Sequence, residues 1–568
     1  MPDMDFIHST LPKTPLNHLQ ADLRSLPVYR CDALVLGSGV AGLSTALAAA
    51  DQGSHVMVLS KGRLDDTNTR HAQGGIASAV GPTDSPELHS ADSLAVGCGL
   101  SETAVVDAFT SDGPAAVEWL QELGMRLDCE PDGSLSLGKE GGHRVARILH
   151  SGGTATGLEI QRALGAATQA HPRIDFCQYT SGIELLKDSE GRVCGLLALM
   201  GGSSSAPKPV LFEADAIVAA TGGGGQLFRE TTNPELATGD GLAMALRAGA
   251  DLQDLEFVQF HPTILYLAGA ARFLISEVTR GAGAHLVDRE GNRFMPDEHP
   301  DAELAPRDVV SRAIFRRMIE SGDTHVYLDF SEVNDPASRF PALARMAREF
   351  GIRLAHEPVP VRPAVHYMIG GIRSNLEGRT NLDGFWAVGE CASTGFHGAN
   401  RMGSNSLLEG VVHGRMVGQD LANSLGTSPR RFLTPSLLGN TSVSGAQLSL
   451  TDMTYSLKSL MWRQVGVERN AAGLADALHR LETWEGYLDR LCPFTREGVE
   501  VLNMVQVSRM VVLAALAREE SRGAHFRTDF PSPSADWRCH SSVRVDPGGI
   551  VVGTTSVALP AEGVSKGS

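Results

Sequence analysis

The chain has 568 residues, of which 42% are hydrophobic, 20% charged and 5% aromatic. That is enough for roughly three or four domains with buried cores. Lys plus Arg number 49 against 66 Asp plus Glu, a formal charge of −17. This balance speaks against nucleic-acid partners and against a basic membrane-facing surface. A small anionic substrate stays open, because a local cluster of Arg and His overrides the global sign.

The eight cysteines, at 31, 98, 129, 177, 194, 391, 492 and 539, form no Cys-x-x-Cys pair. Their scatter argues against a metal or iron–sulfur framework and for reduced thiols in the cytoplasm. Residues 1–30 hold no apolar run of the kind that makes a secretory signal. No stretch approaches the ~18–20 apolar residues of a membrane span, so no membrane contact is expected.

In chain order, residues 1–30 read as a loosely ordered arm. Cys31-Asp-Ala-Leu-Val-Leu36 is a short apolar run suited to a buried strand. After Gly37-Ser38-Gly39-Val-Ala41-Gly42, Leu43, Ala46, Leu47 and Ala50 recur at helical spacing. Gly53 ends that helix, and His55–Leu59 completes a βαβ unit. A Gly-rich α/β texture runs on to about 253, closing with the Ala214–Gly222 string. Residues 254–367 change character, with many Arg, His and Pro and no strand–helix alternation. The α/β pattern returns over 368–437, and from 438 it is mostly helical. There Leu457, Leu460 and Met461 share one face, and Val501, Met504, Val505 and Met510 another. Residues 531–568 read as a loose tail with a short strand at Gly549–Val552. The simplest architecture is an α/β dinucleotide-binding domain (31–253 and 368–437), interrupted by a second domain (254–367) and followed by a helical one (438–568).

Gly37-x-Gly39-x-x-Gly42 sits between a strand and a helix. There glycines allow a tight turn and close backbone approach, and the helix dipole favours a pyrophosphate. The acidic residue that usually grips the adenosine ribose is replaced by Leu59-Ser60-Lys61, which leaves Ser60 and Lys61 as candidates for that contact. In Arg70-His-Ala-Gln73-Gly74-Gly75, small residues let backbone amides lie flat against a planar ring. Phe385-Trp-Ala-Val-Gly389-Glu390 ends a strand with a carboxylate suited to a flavin's ribityl hydroxyls. Asn405-Ser406-Leu407 opens a helix whose amides suit the pyrimidine carbonyl.

A more chemical set is spread over Gln259-Phe-His261-Pro-Thr263, Ser276-Glu277-x-x-Arg280, Pro306-Arg307-Asp308, His366-Tyr367 and His397-Gly-Ala-Asn400-Arg401. Guanidiniums, imidazoles and a hydroxyl together make a receptor for a small dicarboxylate, which Arg grips bidentately. Taken singly, each reads more readily as a surface ion pair, Arg307 beside Asp308 above all.

These strings occur in one order with Thr238-Gly-Asp240-Gly241 and Arg518-Glu-Glu-Ser-Arg522-Gly-Ala-His525. Together they resemble the flavoprotein family of succinate dehydrogenase, fumarate reductase and L-aspartate oxidase, over about residues 31–530. The resemblance implies FAD in a Rossmann-type domain, an α+β capping domain hinged over the flavin, and a C-terminal helical domain. The cofactor contacts it implies are Gly37, Ser38, Gly39, Ala41, Gly42, Ser60, Lys61, Asn68, Thr69, Gln73, Gly74, Gly75, Thr221, Gly222, Asp240, Glu390, Asn405, Ser406 and Leu407.

In the respiratory members a His five residues before the Gln of the Ala-Gln-Gly-Gly string joins the flavin covalently. Asn68 stands there in this chain, which implies FAD held non-covalently, as in the aspartate-oxidising branch. Leu255–Thr263, Glu140-Gly-Gly-His143 followed by Arg147–His150, and Phe396–Met402 also look most like that branch. Two positions depart from the family: Ser276 stands where a Thr is usual, and Ala282 where a Glu is usual.

Carried over residue by residue, Arg401 and His366 hold one carboxylate of aspartate, and His261 and Ser276 the other. Arg307 lies near Cα–Cβ, either transferring a proton or only stabilising charge, and Glu140 meets the ammonium. The implied activity is oxidation of L-aspartate to iminoaspartate by hydride transfer from Cα to flavin N5, with oxygen or fumarate as electron acceptor. It is the first step of quinolinate and NAD biosynthesis, with quinolinate synthase as receiving partner and no metal. The alternatives are a soluble fumarate reductase, a succinate dehydrogenase flavoprotein subunit, and, from another class, a non-catalytic FAD-binding protein.

Overall fold

A computed structural model describes residues 7–19, 22–201, 207–267, 273–425 and 448–557. At its centre is a seven-stranded sheet. Ile174–Cys177, Val56–Leu59, Val28–Leu36 and Lys208–Ala219 run parallel side by side, and Phe385–Ala387 joins the last of them. Val193–Met200 and Thr180–Lys187 extend the sheet antiparallel. The parallel strands are apolar on both faces because both faces are covered. Leu34, Leu36 and Ile217 enter one core, while Ala33, Val35 and Val58 enter the other.

The helix Val40–Asp51 leaves the sheet after Val28–Leu36 and packs along Asn405–Ser424. Gly410, Gly414 and Gly418, one per turn, present bare backbone at the contact. A Cβ at Gly414 would lie 2.8 Å from the Ala41 carbonyl oxygen, and one at Gly418 2.5 Å from that of Thr45. Gly410 meets Val40 and Gly418 meets Thr45 and Ala48, so the two helices run parallel. Both positive N-termini therefore open at one end of the sheet.

A four-stranded antiparallel sheet is inserted in the order Val258–Leu265, Val359–Met368, Val326–Asp329, His285–Val287. With the helix Arg307–Ser321 it closes a core of its own around Leu286, Ile314, Leu328 and Phe330. Contrary to the expectation for 254–367, strands and helices do alternate here, with Val278–Gly281, Arg307–Ser321 and Pro341–Glu349 between the strands. The leading strand is buried at every position and so shows no apolar–polar period.

The C-terminal part has the helices Leu450–Gln464, Ala471–Leu491 and Arg496–Ala517. Both expected apolar faces are buried. Contrary to the expectation that no stretch approaches a membrane span, Arg496–Ala517 is, among the described residues, the one helix long and apolar enough to cross a membrane, but 89% of its most apolar stretch is buried within the protein.

Within the described residues, parts of the expected loose arm and loose tail are ordered instead. Ile7–Ser9 pairs with Gly549–Ser556. Leu16, Leu19 and Leu23 are buried against Leu186, Leu197, Leu211 and Val499, so the arm is anchored by these three side chains. The strand expected at Gly549–Val552 runs on to Ser556 and forms a hairpin with Cys539–Asp546, inside a six-stranded sheet. Residues 558–568 and the boundary placed at 437/438 lie outside the described residues.

Candidate active site

A cavity of about 460 Å³ opens where the two parallel helices begin. Gly37, Ser38, Gly39 and Ala41 line it. Gly37 holds φ at +123°, and a Cβ there would fall 2.0 Å from the Ala220 carbonyl oxygen, so conformation and space both demand glycine. Gly42 does not line the cavity; it supports the turn from beneath, where a Cβ would meet the Gly37 carbonyl oxygen at 2.1 Å. At Gly39 only Thr69 Oγ1, 3.2 Å from an added Cβ, is near.

Ser60, Lys61, Asn68, Thr69, Gln73, Gly74, Gly75, Thr221, Gly222, Asp240, Glu390, Ser406 and Leu407 line the same cavity. Asn405 does not. Its side chain turns away to His89 Nε2 at 2.9 Å and Ser93 Oγ at 3.0 Å, which leaves its backbone N–H at the helix start. Lys61 Nζ donates to Thr238 Oγ1 at 2.6 Å and Asp240 Oδ2 at 2.7 Å, and pairs with Glu500 at 2.9 Å. Burial pushes the Asp240 carboxyl up, but Lys61 outweighs it, and Asn503 and Thr238 add to the net lowering.

Asn68 Nδ2 donates to Glu390 Oε2 at 3.1 Å, while Asn68 Oδ1 is buried without a partner. Burial raises the Glu390 carboxyl above its ordinary range. A glycine cradle, two helix N-termini and an orphaned acceptor fit a ligand that carries a pyrophosphate and hydrogen-bond donors, as FAD does.

Arg307, His261, His366, Arg401, Ser276 and Glu140 converge on this same cavity from distant segments. Arg401 is 3% exposed; its Nε donates to Gln259 Oε1 at 3.2 Å and its guanidinium lies 4.7 Å over the Tyr367 ring. Burial, then Arg307, pulls its pKa down to about 10, so it stays charged at neutral pH.

The His261 and His366 rings meet edge-on, with centroids 5.4 Å apart. Burial and then the neighbouring guanidiniums drive both imidazoles well below their ordinary pKa. His261 Nδ1 accepts the Thr263 N–H at 3.3 Å, so the neutral ring carries its proton on Nε2. His366 Nδ1 lies 3.0 Å from Thr232 Oγ1.

Arg307 is the first residue of its helix, and its partner is not Asp308. Its Nε donates to Glu277 Oε2 at 3.1 Å, and its Nη2 stands 3.9 Å from Glu140 Oε2. Burial raises the Glu277 carboxyl, but Arg280 and Arg307 outweigh it and hold it below the usual range. Glu140 is no solvated loop carboxylate: it is 7% exposed and accepts a hydrogen bond from Ser404 Oγ at 3.0 Å. Ser276 Oγ accepts the Val278 N–H at 3.4 Å.

His397 stands outside the cavity, bonded to Glu409 at 2.9 Å and to the Tyr367 hydroxyl at 3.2 Å. Glu277, Gln259, Tyr367 and Thr232 hold the site in place, and sequence reasoning assigned them no role. Glu277 and Tyr367 were signalled only by following Ser276 and His366, Gln259 only by standing two residues before His261, and Thr232 by nothing.

Residues 32–407 match the family model of the FAD binding domain, and residues 454–560 that of the fumarate reductase flavoprotein C-terminus. An L-aspartate oxidase of Streptomyces coelicolor is 44% identical over 533 residues, spanning 91% of this chain and 92% of its own. One from Nostoc is 40% identical over 552 residues, spanning 90% and 93%. An E. coli quinol fumarate reductase chain superposes with a TM-score of 0.86 at 29% identity, covering 94% of this chain and 98% of its own. The chain therefore belongs to the FAD-dependent oxidoreductases that include the L-aspartate oxidases and the fumarate reductase flavoproteins, with FAD as its cofactor.

Proposed function

We propose that this chain oxidises L-aspartate to iminoaspartate, the opening reaction of NAD synthesis by way of quinolinate. One observation carries the reading: two guanidiniums, two neutral imidazoles, a hydroxyl and a buried carboxylate share a cavity with a dinucleotide turn. The parallel sheet with its glycine turn reads as a Rossmann-type fold. The four-stranded segment reads as a cap that carries His261, Ser276, Arg307 and His366 over the cavity. Bound FAD supplies the two-electron acceptor.

The chain's own groups do the rest. Arg401 and His366 grip one carboxylate, and His261 Nε2–H and the Ser276 hydroxyl the other. A neutral imidazole is the right form here, since it donates without adding to an already cationic wall. Glu140 selects the amine: held by Ser404 and facing Arg307, its carboxylate gains one more charge-assisted hydrogen bond only from a ligand that carries an ammonium, worth about 1–3 kcal/mol. Arg307, held by Glu277, sets positive charge beside Cα–Cβ. Its pairing with a carboxylate favours an electrostatic role over that of a base. Clamping both ends fixes the reacting carbon, a gain from orientation.

Asn68 lacks the nucleophilic ring that covalent attachment needs, so the FAD is held non-covalently. The same clamps fit fumarate, which with oxygen is the proposed electron acceptor. Eight scattered cysteines without a Cys-x-x-Cys pair suit a cytoplasmic site, and quinolinate synthase is the proposed recipient of the product.

The test is anaerobic mixing of the yellow holoenzyme with L-aspartate, D-aspartate or succinate. L-Aspartate bleaches it and the other two do not, and acid precipitation leaves the flavin in the supernatant. Bleaching by succinate instead, or by none of the three, overturns the proposal.

A further inference from the structure

Each of the two cavity guanidiniums has a sequence neighbour that points elsewhere, and these two neighbours find each other. Asn400 Nδ2 donates to Asp308 Oδ1 at 3.2 Å. Neither residue lines the main cavity. Asn400 is 4% exposed, and its own Oδ1 accepts from Gln259 Nε2 at 3.0 Å. The same Gln259 amide donates to the Arg401 carbonyl at 2.8 Å, and its Oε1 accepts from Arg401 Nε. The second Asp308 oxygen pairs with Arg312 at 2.9 Å, one turn along the helix that Arg307 begins. A hydrogen-bonded path thus runs from the residue beside Arg307 to the guanidinium of Arg401. It joins the inserted segment to the loop ahead of Asn405–Ser424.

We propose that the Asp308–Asn400 hydrogen bond is a strut that fixes Arg307 relative to Arg401. Both are positioning residues for aspartate oxidation. The inference rests on the functional reading above, in which Arg401 holds a carboxylate and Arg307 faces the reacting carbon. Arg401 keeps its Gln259 and Tyr367 contacts when the strut breaks, so the carboxylate is still gripped. Arg307 sits on the first turn of its helix, where the strut anchors the chain to the opposing loop. A shift of order 1 Å in that turn misplaces the guanidinium, and such errors cost up to about a hundred-fold in rate.

Asn400→Asp sets two carboxylates face to face while leaving an acceptor for Gln259. It is expected to lower kcat for L-aspartate about ten- to hundred-fold with KM within about three-fold, at unchanged flavin content. Adding Asp308→Asn restores a donor–acceptor pair across the same gap, and the double variant regains kcat. Should Asn400→Asp not accumulate as holoenzyme, Asp308→Asn and Asp308→Ala make the same distinction. The first keeps an acceptor for Asn400 and most of kcat; the second loses both.

A kcat unchanged in Asn400→Asp, or a double variant no faster than Asn400→Asp alone, overturns the strut. So does equal loss in Asp308→Asn and Asp308→Ala. Wild-type enzyme that L-aspartate fails to reduce overturns the functional reading, and the strut with it.

Discussion

A methyl group on Gly403 would fall 2.3 Å from Glu140 Oε2 and 3.1 Å from Arg307 Nη2. Glu140 is buried and tied to Ser404, so it cannot swing into solvent at no cost; it must leave the place where the ammonium is read. Gly403→Ala is therefore expected to raise KM for L-aspartate about ten-fold, the worth of one charge-assisted hydrogen bond. The inhibition constant of succinate, which has no amine, should move far less. Equal shifts in both constants would remove Glu140 from amine recognition. At this scale the Arg and His residues could be grouped only through the order of the family's strings, because each taken singly reads as a surface ion pair. Glu140 could be assigned by the same resemblance; Glu277, the partner of Arg307, could not. Glu277 and Arg307 are 30 positions apart, and nothing local distinguishes that carboxylate from the other acids. Asp308 was the more natural partner by adjacency, yet the helix that Arg307 begins carries Asp308 towards Arg312 instead.

Elements were legible where their burial is local and hidden where it is borrowed. The first βαβ unit announces itself because an apolar run, a glycine turn and a helical repeat follow one another within Val28–Leu59. The strand Val258–Leu265 is buried on both faces and has no period to read. The N-terminal arm was misread for a related reason. Leu16, Leu19 and Leu23 are too few to suggest a core, and their partners Leu186, Leu197, Leu211 and Val499 come from far along the chain. Leu23 is 1% exposed, so Leu23→Ala leaves a cavity and should lower stability by about 2–5 kcal/mol. The readout is a lower unfolding temperature with kcat at ambient temperature unchanged, since Leu23 lies outside the cavity lining. An unfolding temperature equal to that of wild type would return the arm to the status of a loose segment.

Across the whole molecule, two opposite kinds of buried histidine contribute to the pH dependence of stability. His89, His261, His366, His413 and His525 are each lowered by burial, His89 and His413 to about 4. Folded, they stay neutral where the unfolded chain binds protons, so the stability they confer is present above ~6.5 and drains away as the pH falls. The neutral form that makes His261 a donor to a carboxylate therefore also shapes the acid limb. His540 works the other way. Its Nδ1 meets Asp254 at 2.5 Å and its Nε2 meets Glu102 at 3.1 Å, tying the C-terminal hairpin to two other parts of the fold. Burial lowers its pKa, but Asp254 and Glu102 outweigh burial and raise it to about 9. Its contribution is thus fully present below ~6.5 and lost as the pH climbs through about 9. Unfolding temperatures of wild type and His540→Gln, followed from pH 5 to 10, should differ most at the acid end. The gap should close between ~6.5 and 9, then stay level. Parallel curves across that window would mean that His540 holds no proton the unfolded chain lacks, and that the hairpin is secured by packing alone.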